Sequence, residues 1–161
     1  MMSAALHPDL AAELALFGQL VGEWKIAHRA RTRGGPWTDS ERTWIFSWAL
    51  NGRAVESLLL DAEGTEIGAT MQVWDAKSGV WRITSSGVNG DATLLTGAAH
   101  GDSGIRQEGV ERTAGHPGGR PIRWNFSEIG PDSFEWGGWV ADDADGPNWE
   151  QEQQLVATRL R

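Results

Sequence analysis

The sequence predicts an all-β protein, a closed antiparallel up-and-down β-barrel of about ten strands with one N-terminal α-helix. Three observations support this prediction. Turn-forming residues recur about every eight to twelve positions after Gly22. The segments between these turns alternate apolar and polar residues, as a half-buried strand does. Finally, ten tryptophans but no tyrosine and no cysteine occur in 161 residues, and most of the tryptophans stand in the alternating segments.

The helix is predicted over about residues 8–20. His7-Pro8-Asp9 marks its start, because proline and aspartate are favoured in the first turn of a helix. Gly18 and Gly22 are candidate stops. Apolar residues recur at helical spacing between these signals: Leu10, Leu14, Phe17 and Leu20. We expect this short amphipathic helix to pack against the sheet or to close one end of the barrel.

Ten segments after Gly22 are predicted to be strands. They cover about residues 23–31, 40–49, 52–60, 66–75, 80–86, 92–99, 105–113, 120–128, 132–140 and 148–160. Asn51-Gly52, between two of them, is a strong hairpin signal because both central residues of a type I′ turn need positive φ. Closure of so long a meander removes its exposed edges. We therefore predict a single domain over 1–161, with the barrel from about 22 to 160.

Composition limits the partners that we expect. There are 22 acidic against 14 basic residues, a net charge of −8, which disfavours a nucleic-acid partner. No segment approaches the roughly 18 consecutive apolar residues of a membrane span. The absence of cysteine removes thiolate nucleophiles and thiolate metal ligands, and the four histidines lack a metal-ligand spacing. Residues 1–10 carry no export signal, so we expect a cytoplasmic protein without a metal site.

Two short motifs stand at the ends of the predicted barrel. Leu20-Val21-Gly22-Glu23-Trp24 joins the helix to the first strand through Gly-x-Trp, and Thr158-Arg159 ends the last strand. This pairing resembles the calycin superfamily of lipocalin-like barrels. In those proteins the first-strand tryptophan plugs the base of the barrel and a late arginine packs across it. The resemblance therefore implies that Trp24 and Arg159 form the base here.

Further motifs follow the pattern of a group of lipocalin-like bacterial proteins of unassigned function, and the similarity runs from about residue 16 to 160. These motifs are a late aromatic strand with Phe134-Glu135-Trp136, an Asp145-Gly146 turn, and Trp149. The resemblance implies a barrel with a cavity. It implies no particular substrate, because fold does not determine function.

The tryptophans are the first candidates for the lining of that cavity. Pockets for small molecules are mostly apolar and aromatic, with a few polar groups. Trp44, for example, shares one face of its strand with Phe46 and Trp48. We expect five indoles and one amide to contact a ligand: Trp44, Trp48, Trp81, Trp124, Trp136 and Gln151. A solid aromatic core without a cavity is the competing interpretation.

Two ionisable residues are the candidates for catalysis. If Trp24 faces inward, alternation places His28 inside the barrel as well, either as a core residue or as a polar contact or proton carrier for a ligand. Glu56 depends on register. It lies inside as a buried acid if Ala54 and Leu58 face inward, and it lies on the surface if Val55 and its alternate neighbours face inward.

The sequence thus predicts a protein that binds a small apolar or aromatic molecule inside the barrel, without a cofactor. One alternative is a cofactor-free isomerase, cyclase or pericyclase that acts on a hydrophobic secondary metabolite through His28 and Glu56. A second is haem binding through His28, since nitrobindin-like calycins bind haem through histidine. If Trp74 and Trp139 both face outward, they form a candidate surface for a homodimer.

Overall fold

A computed structural model describes residues 11–141 and 148–161. It contains one α-helix, α1 (Ala11–Gly18), ten strands, and a short 3-10 turn at Leu50–Gly52. The strands are β1 (Gly22–Ala30), β2 (Thr38–Ala49), β3 (Ala54–Leu60), β4 (Glu66–Asp75), β5 (Val80–Gly87), β6 (Ala92–His100), β7 (Gly104–Thr113), β8 (His116–Ser127), β9 (Ser133–Ala141) and β10 (Trp149–Arg159).

The ten strands form a closed antiparallel barrel in which each strand pairs with its neighbours in sequence. Closure is completed by β1, which pairs with β2 on one side and β10 on the other. The predicted fold class is therefore confirmed. The predicted helix start at His7-Pro8-Asp9 and the predicted Asp145-Gly146 turn lie outside the described residues. Within the described ranges, the helical content offers no segment with the length and hydrophobicity of a transmembrane helix.

The turns follow from local residue chemistry. At the β2–β3 turn, Asn51 and Gly52 adopt φ values of 56° and 79°, the left-handed conformation that asparagine and glycine tolerate best. At the β3–β4 turn, the side-chain oxygen Oδ1 of Asp61 accepts hydrogen bonds from the backbone N–H groups of Glu63 and Thr65. These short connections fix the register of the hairpins that they join.

The register places alternate residues inside the barrel. Trp24 of β1 lies opposite Trp44 of β2 and Arg159 of β10. Because side chains alternate along β1, Ile26 and His28 also face the interior, and both are buried. The other strands also alternate between the two faces, except where a β-bulge interrupts the period, as between Gln151 and Gln153 of β10.

The end of the barrel next to α1 is filled. Phe17 of α1 packs edge-on against Trp81, with ring centroids 4.7 Å apart. The indole N–H of Trp24 donates to the carbonyl of Leu20 at 2.8 Å, and the guanidinium of Arg159 lies 4.2 Å from the Trp24 ring. Arg159 also donates to the Val21 carbonyl at 2.9 Å. These contacts close the base, and any internal space must lie toward the opposite end.

Candidate functional site

A cavity lies inside the barrel above the closed base. Its volume is about 110 Å³, and the empty space amounts to about 660 Å³ when the open mouth is included. Its lining comes from nine of the ten strands. The lining residues are His28, Arg42, Trp44, Leu59, Gly68, Thr70, Gln72, Ser85, Gln107, Trp124, Phe126, Trp136, Gln153 and Leu155. Most of this surface is aromatic or aliphatic, as in small-molecule sites generally.

Three indole rings form the aromatic walls. Trp44 and Trp136 meet nearly at right angles, with ring centroids 6.3 Å apart. Trp124 lies 5.8 Å from Trp136 on the neighbouring strand. Phe126 stacks on Trp44 at 5.7 Å and continues the aromatic surface toward the base. Because these rings pack against one another as well as facing the cavity, the walls are held in place without a ligand.

Three residues that line the cavity carry a buried polar atom that has no hydrogen-bond partner in the described part of the chain. The side-chain oxygens of Gln72 and Gln107 and the indole N–H of Trp136 have no hydrogen-bond partner among the described residues. Gln72 is 1% exposed, Gln107 2% and Trp136 7%. The amide nitrogen of Gln107 donates to the Trp124 carbonyl at 3.0 Å, which fixes the orientation of that amide. A buried polar group that is left unpaired costs about 1–3 kcal/mol, so such groups are uncommon in a finished core.

His28 lies on the cavity wall with both ring nitrogens engaged. Its Nε2 is 3.0 Å from Gln153 Oε1 and its Nδ1 is 3.3 Å from the Ser40 hydroxyl. Since the amide oxygen can only accept, Nε2 carries the proton and Nδ1 accepts from the hydroxyl. Burial lowers the pKa of His28 below its usual 6.5. The hydrogen bond with Gln153 opposes this shift, and the charge of Arg42 adds to it. His28 is therefore neutral at pH 7.

The neutral state of His28 predicts a pH dependence of stability. A histidine with a lowered pKa in the folded state contributes stability above its unfolded-state pKa of about 6.5, and that stability is lost as the pH falls below this value. We expect the free energy of unfolding of the wild type to fall more between pH 7 and pH 5 than that of His28→Asn. Denaturant unfolding at both pH values measures this. His116→Asn, at an exposed position, is the control, and an equal pH dependence in wild type and His28→Asn would contradict the lowered pKa.

Arg42 is a lining residue that the sequence analysis did not single out. It lies two residues from Trp44 on the same face of β2, toward the end away from α1. Burial lowers its pKa, and the charge of Asp61 opposes that shift. The signal that identifies it is alternation alone, because an inward Trp44 requires Arg42 and Ser40 to face inward as well.

The structure brings four of the predicted site residues together in the cavity: His28, Trp44, Trp124 and Trp136. Two other predicted indoles do not line it. Trp81 is buried at the base between Phe17 and Trp74. The ring of Trp48 packs over Gly18 of α1 and occupies the space that a β-carbon of Gly18 would need. Both therefore pack where the helix meets the barrel.

Gln151 lies on the outer face of the barrel, which corrects its assignment to the lining. A β-bulge between Gln151 and Gln153 adds one residue to β10, so the two glutamines point to opposite faces. Gln153 faces inward and contacts His28, whereas Gln151 borders an outer groove beside Trp139. Sequence alternation without the bulge places Gln151 on the same face as Gln153.

The buried-acid interpretation of Glu56 is also corrected. Val55 and Ser57 are buried, and Glu56 between them is exposed and paired with Ser47 of β2. The second of the two predicted registers is therefore the observed one, and this carboxylate is separated from the cavity by the wall of the barrel. Trp74 likewise contacts Trp81 inside the barrel, so it forms no outward pair with Trp139.

The described residues contain no group of three or more histidine, aspartate or glutamate side chains that could hold a metal ion. Two acidic side chains on inward-facing positions instead contact an arginine, because Arg120 lies 3.1 Å from Glu111 and 3.5 Å from Glu152. What the cavity offers a ligand is thus aromatic surface, a few amides, a neutral imidazole and one guanidinium.

Comparison with known proteins identifies the fold. No protein-family model matches the chain, and no curated protein does. Among solved structures, the barrel is similar to Rv2717c from M. tuberculosis, with 13% identity and a TM-score of 0.62 over 98% of this chain and 100% of that one. It is also similar to the S-type phycobiliprotein lyase CPES from Guillardia theta, with 9% identity and a TM-score of 0.63 over 90% of each chain. These neighbours are ten-stranded barrels, and the chain has a calycin-like fold.

Proposed function

We propose that this protein binds one small, flat, mostly apolar molecule inside the barrel, with a ring of the ligand between Trp44, Trp124 and Trp136. The observation that carries the proposal is the combination of an aromatic cavity with buried polar atoms that have no partner among the described residues. Aromatic side chains alone are compatible with a packed core. An aromatic surface that surrounds unpaired donors and acceptors is instead typical of a site that a ligand completes.

The dimensions of the cavity limit the ligand. An apolar cavity of about 150 Å³ binds benzene. The cavity here, at about 110 Å³, is therefore suited to about one aromatic ring. The larger volume with the mouth included leaves room for a second ring or a substituent toward the open end. A bicyclic aromatic compound is the expected size class.

The polar atoms limit its chemistry. The oxygens of Gln72 and Gln107 accept hydrogen bonds, and the indole N–H of Trp136 donates one. A ligand that carries both an N–H or O–H group and an acceptor atom completes these bonds, whereas a pure hydrocarbon leaves them unpaired. We expect ligands of the first kind to bind more tightly than hydrocarbons of the same shape.

Binding is favoured over catalysis by the positions of the ionisable groups. Of the two proposed catalytic residues, Glu56 lies outside the barrel and His28 has both nitrogens in hydrogen bonds. A general base must lie within hydrogen-bond reach of the proton that it removes, and the Nδ1 atom of His28 instead accepts from the Ser40 hydroxyl. Haem binding is less well supported because both ring nitrogens of His28 are in hydrogen bonds. A haem group is also much larger than the bicyclic compound that the cavity suits. The similar barrel that is named a phycobiliprotein lyase supports the fold only, at 9% identity.

Titration of tryptophan fluorescence tests the proposal. We expect 2-naphthamide, an uncharged bicyclic amide, to quench the fluorescence saturably, after correction for its absorbance. Native mass spectrometry should detect a complex of one ligand per chain. Trp139→Phe, on the outer surface, should leave the titration curve unchanged, whereas Trp136→Phe should weaken binding. Absence of quenching and of a complex across a panel of such compounds would show that the indoles form a closed core.

A further inference from the structure

The guanidinium of Arg42 occupies an unusual position in this barrel. It is half-buried in the cavity wall, toward the end of the barrel away from α1. It lies beside His28 and two residues before Trp44 on the same face of β2. No hydrogen bond, ion pair or ring contact joins it to another residue in the ranges 11–141 and 148–161. Asp61 acts on it electrostatically without forming an ion pair. The Oδ1 atom of Asp61 instead accepts hydrogen bonds from the backbone N–H groups of Glu63 and Thr65 in its own turn.

The other inward arginines of the described chain are paired. Arg120 contacts the carboxylates of Glu111 and Glu152. Arg159 donates to backbone carbonyls at the base and lies against the Trp24 ring. Removing a charge from water without a partner is unfavourable, so partly buried cations normally have one. Unlike Arg120 and Arg159, Arg42 has no such partner among the described residues, and it lies in the wall of the aromatic cavity.

The chemistry of arginine indicates which group completes this position. A guanidinium is planar and presents a fork of N–H donors that matches a carboxylate in a two-point contact. The protein as a whole carries a net charge of −8, which repels anions at long range. The guanidinium of Arg42 therefore supplies a local positive charge in the cavity, which favours a ligand with a negatively charged group.

We propose that the ligand is an aromatic carboxylate, with its ring between the indoles and its carboxylate on the guanidinium of Arg42. This inference rests on the proposed function and adds the charge of the ligand to it. The Arg42 position, toward the open end and two residues from Trp44, matches a molecule that enters ring first. Gln72 and Gln107 then lie deeper, where they meet polar substituents on the ring.

A matched pair of probes tests this inference. We would measure the affinities of 2-naphthoate and 2-naphthamide by isothermal titration calorimetry for the wild type, Arg42→Gln, Arg42→Lys and Arg112→Gln. The two probes share shape and differ in charge. Arg112 is exposed and has no charged partner among the described residues, so its variant changes the net charge equally without touching the cavity.

We expect the wild type and Arg112→Gln to bind naphthoate about tenfold more tightly than naphthamide, since hydrogen bonds to charged groups contribute this much. Arg42→Gln should lose that preference, because its loss of affinity is expected to be larger for naphthoate than for naphthamide. Its denaturant unfolding curve, measured in parallel, shows whether the variant is folded. Arg42→Lys should retain part of the preference. Equal affinities of the two probes for the wild type, or an equal loss of both in Arg42→Gln, would overturn the inference and leave the proposed function intact. Binding of neither probe would overturn both.

Discussion

Gly68→Leu should greatly weaken ligand binding while the barrel stays folded. Gly68 lines the cavity on β4, opposite Leu59 of β3. A β-carbon added there would lie 3.7 Å from the Ser86 carbonyl oxygen and 3.8 Å from the Leu59 β-carbon, which are ordinary contact distances. The remaining atoms of the leucine then occupy the space that the ligand needs. We expect the affinity for 2-naphthamide to fall about 100-fold. This corresponds to the upper part of the range of free-energy costs, about 1–3 kcal/mol, for extra atoms in a packed interior.

Ala69→Leu is the matched control for this experiment. Ala69 is the next residue of β4 and is exposed on the outer face, so the same side chain is added outside the barrel. We expect its affinity to equal that of the wild type. The midpoint of thermal unfolding should stay close to the wild-type value in both variants. Tight binding by Gly68→Leu would show that the ligand does not occupy this cavity.

Trp24→Ala should destabilise the protein by several kcal/mol, about 3–5 kcal/mol or more. The Trp24 ring is fully buried, packs edge-on against Phe134 at 4.6 Å, and carries the guanidinium of Arg159. Its N–H also connects β1 to the carbonyl of Leu20 at the end of α1. Truncation of a buried tryptophan to alanine costs about 3–5 kcal/mol, and here it also breaks these two contacts.

Denaturant unfolding measures this loss directly. Trp37→Ala is the control, because Trp37 is only partly buried on the outside of the barrel, where the guanidinium of Arg31 lies 4.5 Å from its ring. A cation–π contact at an exposed site contributes about 0.5–1 kcal/mol, so we expect a small change in the control. Similar losses in the two variants would show that Trp24 does not hold the base together.

The fold could be predicted from the sequence because its signals are local. Turn residues, alternation and the aromatic segments are each visible within a few positions, and closure follows from the number of strands. The inward position of His28 followed in the same way from its distance to Trp24 along one strand. Arg42 was accessible by that argument as well, through Trp44.

Other features depend on information that alternation does not contain. The two faces of β3 are both compatible with burial, so Glu56 could be placed only by the pairing of β3 with β2. Alternation predicts which face of a strand a residue occupies but not how far along the barrel axis it lies. The positions of Trp48 and Trp81 near α1, away from the cavity, could therefore not be predicted. Gln151 was misplaced because a bulge adds one residue to β10 and reverses the faces before it.

The most direct test of the central claim is an NMR titration of the indole N–H signals. Ten tryptophans give ten assignable resonances, distributed between the cavity, the base and the outer surface. With 2-naphthamide we predict saturable shifts at Trp44, Trp124 and Trp136, and little change at the base residue Trp24 and the outer residue Trp139. Shifts confined to Trp139 and other outer tryptophans, or no saturable shift at all, would contradict binding inside the barrel.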